Sequence, residues 1–225
     1  AGAAYLFERD LGGAGAWGQA AVLGLAGAGP QDWFGYPVAI AGDTAAICAQ
    51  GDGADGTAHL YGRDQGGLGA WGWVSGVESG APVSGTAYCA AVALLGDTLA
   101  VGAPAQGAGE PAQDAVGAVY LYARHQGGPD GWGQVAVLTA AEAVPGARVG
   151  SAAALDGDLL AAGAPGDEPG GSAYLFRLVN TPPEAVELLD VPTAVDEGAA
   201  FALHGRFVDP DLSETLTVTV AWGDG

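Results

Sequence analysis

Three anchors recur in one register along the first 176 residues, and this periodicity constrains the fold more than any other feature. Gly2-Ala3-Ala4-Tyr5-Leu6-Phe7 aligns with Gly56-Thr57-Ala58-His59-Leu60-Tyr61, Gly117-Ala118-Val119-Tyr120-Leu121-Tyr122 and Gly171-Ser172-Ala173-Tyr174-Leu175-Phe176, at spacings of 54, 61 and 54 residues. The pairs Trp17-Gly18, Trp71-Gly72 and Trp132-Gly133 stand 54 and 61 residues apart, and so do Gly42-Asp43, Gly96-Asp97 and Gly157-Asp158. Self-similarity at this period marks an array of equal supersecondary units.

Each unit resolves into four short β signals: the GxxYLF-type strand, a strand after Trp-Gly, an apolar run before Gly-Asp and another after it. The stretch 92–104, VALLGDTLAVGAP, is the clearest case. Its Gly-Asp pair tolerates the backbone conformation of a two-residue hairpin, so turn chemistry and alternation agree. Composition supports the same reading: 41 Gly and 13 Pro punctuate a chain that is 49% hydrophobic and 14% charged, which favours turns between strands and disfavours helix. Four strands per repeat of this length is the pattern of a β-propeller blade.

The repeats resemble the FG-GAP repeat of integrin α-chain propellers and of bacterial surface proteins. The opening pair is Phe34-Gly35 in the first repeat, Tyr88-Cys89 in the second and Val149-Gly150 in the third; the closing triplet is Cys48-Ala49-Gln50, then Gly102-Ala103-Pro104 and Gly163-Ala164-Pro165. The resemblance covers residues 1–178. It implies an all-β partial propeller of three four-stranded blades and a fourth GxxYLF strand, the remaining blades coming from the same longer chain. Such rings close with about seven blades. The chain contains no Met, opens within a strand and stops at Trp222-Gly223-Asp224-Gly225, so it reads as a piece of something longer.

The register ends after Phe176. Residues 179–183, with Asn180-Thr181-Pro182-Pro183, read as a linker because the prolines break strand and helix. Alternation then resumes at 201–207 and 216–220. Together with Asp196-Glu197-Gly198, Phe207-Val208-Asp209-Pro210 and the terminal Trp-Gly-Asp-Gly, residues 184–225 resemble the first strands of a PKD-type, immunoglobulin-like sandwich.

Charge removes several partners. Twenty-six acidic residues against six arginines give a formal net charge of −20, the wrong sign for nucleic acid and for anionic membranes and glycans. No apolar run reaches the ~18 residues of a spanning helix, so direct membrane insertion is not expected.

Calcium is the one cofactor the sequence raises. Integrin-type blades hold it in closely spaced carboxylates before the GAP strand, but the turns here carry only Asp43, Asp97 or Asp158, with Asp156 beside the last. A hard cation wants six or more oxygens. The loops after the triplet supply Asp52 and Asp55, Glu110 and Asp114, then Asp167 and Glu168, enough for a loose extracellular site. The plainer reading is that these are solvated acidic loops, and Asp209, Asp211 and Asp224 are weighed alike.

Cys48 and Cys89 occupy glycine positions of the motif. They could bridge neighbouring blades in an oxidising compartment, but buried free thiols standing in for glycine are the expected state. Trp17, Trp71 and Trp132, equal in every repeat, are expected to pack between sheets rather than stack on sugars. Trp33 and Trp73 fall outside the register, which makes either the better exposed contact. His59 replaces a core Tyr, while His125 and His204 lie apart from it. No motif of nucleophilic, zinc or phosphate chemistry occurs.

These readings converge on a non-catalytic extracellular adhesion or interaction module that meets a protein or glycan through the loops at 26–33, 76–86 and 105–116, where repeats differ. The alternatives are an accessory region of an extracellular enzyme and a calcium-stiffened spacer.

Overall fold

The computed structural model describes residues 2–80, 85–107, 115–126, 128, 130–178, 185–189 and 204–208. The chain divides into two compact units, Ala1–Leu178 and Val179–Gly225. All regular structure among the described residues is antiparallel β.

In the first unit the strands are β1 (Ala4–Arg9), β2 (Trp17–Leu23), β3 (Val38–Ala41), β4 (Thr44–Ala49), β5 (Thr57–Gly62), β6 (Gly72–Val77), β7 (Ala91–Leu95), β8 (Thr98–Ala103), β9 (Ala118–Arg124), β10 (Trp132–Leu138), β11 (Ala152–Asp156), β12 (Leu159–Ala164) and β13 (Ser172–Arg177). They form four sheets: β1-β2, β3-β4-β5-β6, β7-β8-β9-β10 and β11-β12-β13. Every predicted strand is present, yet the sheets are out of phase with the sequence repeat. A unit that starts at GxxYLF supplies the last two strands of one sheet and the first two of the next. The expected three four-stranded blades are therefore two complete sheets flanked by a two-stranded and a three-stranded one. The second unit contributes β14 (Ala185–Leu189) paired with β15 (His204–Val208); the other residues of the PKD-like stretch lie outside those described.

Successive sheets pack face to face through three apolar clusters, and the GxxYLF strand shows how. Leu6 packs with Ala45, Ile47 and Tyr61 of the second sheet. Leu60 joins Tyr120 and Tyr122 of the third, and Leu121 joins Tyr174 and Phe176 of the fourth. The central Leu of each such strand thus faces the following sheet, and the flanking aromatics face the preceding one, because side chains alternate across a strand. Both faces of β5 and β9 are buried along their length, apart from Arg124.

The same aromatic residue ties the sheets by hydrogen bonds. Tyr61 donates to the Gly24 carbonyl just after β2 (3.0 Å), and Tyr122 donates to the Glu78 carbonyl just after β6 (2.7 Å). Burial raises the Tyr122 phenol well above its ordinary pKa, and that of Tyr88, which donates to Tyr122 at 2.8 Å, likewise.

Cys48 and Cys89 are not free thiols: they form a disulfide with Cα atoms 5.7 Å apart, joining β4 of the second sheet to the entry of the third. The physical reason lies one interface further on. Gly102 and Gly150 are their register equivalents, and there a Cβ built on Gly102 would come within 2.0 Å of the Gly150 carbonyl. The two motif glycines touch across the interface between the third and fourth sheets, and at the preceding interface cysteines replace both. Cys89 even keeps the left-handed backbone of that position, with φ 68° against 105° at Gly35 and 90° at Gly150.

Candidate binding cleft

Loops leave each sheet at two ends of unlike character. At one end lie the Gly-Asp turns, the segments 10–16 and 64–70 and the described residues 125, 126, 128, 130 and 131. There Asp10, Asp64 and His125 all take positive φ and accept from the backbone N–H five residues on, Gly15 at 2.6 Å, Gly69 at 2.5 Å and Asp130 at 3.2 Å. The turn aspartates, expected only to form turns, also bind arginine: Asp43 pairs with Arg63 and Asp97 with Arg124, both at 2.8 Å, and Asp158 with Arg177 at 3.6 Å. The Arg63 and Arg124 guanidinium groups in turn lie over Trp71 and Trp132, 5.2 and 5.4 Å from the ring centroids. An Arg at the end of each third strand was the sequence signal for this stack. Trp132 is buried as the register implied, whereas Trp17, at the same position of the first sheet, is 67% exposed.

At the other end, described residues of the loops that differ between repeats meet one another. Asp55 accepts from the Gly85 and Thr86 N–H groups and the Thr86 hydroxyl, Gln50 donates to the Cys89 carbonyl, and Gly51 donates to Asp32. The calcium candidates are found in this network. Asp52 accepts from His59, and Asp167 accepts from the Tyr174 hydroxyl at 2.6 Å. The corresponding pair in the third sheet is Tyr120 donating to Gln106. Hydrogen bonds from Ser172 and Tyr174 hold the Asp167 carboxyl below its ordinary pKa. Glu168 precedes Pro169, Glu110 and Asp114 lie outside the described residues, and among the described residues no three His, Cys, Asp or Glu side chains cluster as metal ligands would.

A cavity of about 580 Å³ opens between β2 with its following residues and the β5–β6 hairpin; His59, Tyr61, Trp71 and Trp73 line it. Two of these depart from the repeat. Trp73 stands where the other units have Gln19 and Gln134, and His59 where they have Tyr. The departures are linked: Trp73 Nε1–H donates to His59 Nδ1 at 3.4 Å, which leaves Nε2–H to donate to Asp52 Oδ2 at 2.9 Å. Trp73 remains 57% exposed. Trp33, also exposed, is not part of the cavity. A second cavity, along β1 and β3, sits where the first two strands of a complete sheet would stand before β1.

Sheet order and inter-sheet packing give a series of antiparallel β-sheets consistent with propeller blades. Comparison with known proteins agrees: the FG-GAP repeat family model matches residues 17–61 and 132–176, running from β2 into β5 and from β10 into β13. No curated protein matches the chain.

Proposed function

We propose that this chain is a non-catalytic interaction module of an extracellular or cell-surface protein, engaging a protein or glycan through one end and flank of its sheet array. The observation that carries this reading is the segregation of its loops. Turns nearly identical between repeats sit at one end, while the described residues of those that differ lie at the other, where side chains such as Asp55 and Gln50 hold them. Rigid frames that vary only in one set of loops are the usual arrangement of recognition surfaces. Two FG-GAP repeat matches add support, since such repeats are typical of extracellular adhesion modules and are generally non-catalytic. A disulfide between sheets fits an oxidising compartment.

The test is surface-resonance binding of the purified chain to immobilised extracellular glycoproteins. A variant whose 104–117 loop is replaced by the shorter 165–171 loop should lose binding at unchanged melting temperature. Undiminished binding would place recognition elsewhere, and turnover of a hydrolase substrate panel would overturn the non-catalytic reading.

A further inference from the structure

We propose that the cleft between β2 and the β5–β6 hairpin binds a neutral saccharide, with the Trp73 indole as its stacking platform. This deepens the interaction reading and rests on it. The repeat frame does not require an indole at position 73, because Gln19 and Gln134 fill the same place in β2 and β10. An aromatic ring left 57% in water forgoes the burial that normally retains such a residue.

The ring is also fixed. It sits on a strand rather than a loop, and its N–H is tied to His59, which is tied to Asp52. A platform already ordered loses little side-chain freedom when a ligand arrives. Beside it, Trp71 lines the same cleft. The volume, about 580 Å³, falls within the range of small-molecule sites.

The occupant follows from these features. A pyranose presents an apolar C–H face to a flat ring and hydroxyls at its rim to isolated donors and carbonyls. The formal charge of −20 opposes carboxylated or sulfated sugars. The Trp71 ring is already covered by Arg63 at 5.2 Å, so Trp73 is the indole whose face remains open to a ligand.

Titration of the 225-residue protein with neutral gluco-, manno- and galacto-configured tetrasaccharides, followed by calorimetry and tryptophan fluorescence, tests the assignment. At least one should bind saturably, and Trp73→Gln, which restores the residue of the other repeats, should weaken it about tenfold or more. Trp33→Gln should leave it unchanged. Absence of binding by all three, equal binding by Trp73→Gln, or Trp73-dependent binding of choline or a uronic tetrasaccharide in their place overturns the proposal. The loop-replaced variant separates this failure from that of the wider reading: glycoprotein binding that depends on the 104–117 loop stands even if the cleft is empty of sugar.

Discussion

Asp167 shows what a single carboxylate does in this frame. Its sequence surroundings read as an acidic loop, but it is buried and accepts from Tyr174 and Ser172. Because its folded pKa lies below the ordinary value, the unfolded chain binds the proton more readily. Its contribution to stability is therefore complete above the ordinary carboxylate pKa and is lost as pH falls through the folded value. Melting temperature measured down the acid limb should decline less steeply in Asp167→Asn than in the wild type; parallel limbs would deny the residue this role. The pairing was legible in principle, since Asp52–His59 and Asp167–Tyr174 share a seven-residue spacing. Chemistry hid it: a carboxylate, an amide, a phenol and an imidazole alternate at the two positions, and only geometry shows that they do one job.

Strands were legible from alternation and turn residues, whereas their partners were not. A strand such as β5 has two hydrogen-bonding edges, and nothing in its own pattern says that β4 on one side and β6 on the other belong with it in one sheet. Hence the sequence period and the sheet differ in phase. The cysteines followed the same rule. Their glycine positions were visible, but that these two positions meet across an interface was not. Cys48→Gly combined with Cys89→Gly should still fold, since Gly102 and Gly150 serve the next interface. It should lose about 3–4 kcal/mol in urea unfolding, as expected for a crosslink spanning 41 residues. A loss below about 1 kcal/mol would mean that the bridge does not restrict the unfolded chain as its span implies.

For the sheet array as a whole, the two outer faces are unlike and complementary. Tyr5 and Phe7 of β1 are 58% and 55% exposed, and Leu175 of β13 is 71% exposed, although their counterparts on β5 and β9 are buried. Each inner interface joins an aromatic face to a Leu face, a head-to-tail contact. Expressed alone, residues 1–178 should associate reversibly with concentration in sedimentation velocity, and Tyr5→Ser with Phe7→Ser should shift the species toward monomer; a strictly monomeric wild type would refute it. The Trp73 cleft was half legible, because a departure from the repeat singled out Trp73 while its meeting with His59 needed the fold.

The disulfide also changes how the chain carries load. A module gripped at one end and pulled at the other extends only along backbone that tension can reach. With residues 48 and 89 joined, the force passes through sulfur and skips the span between them, which contains β5 and β6. Roughly 140 Å of potential extension is withheld, and the cleft, whose β5–β6 wall lies in that withheld span, keeps this wall outside the path of the force even when its neighbours are under strain.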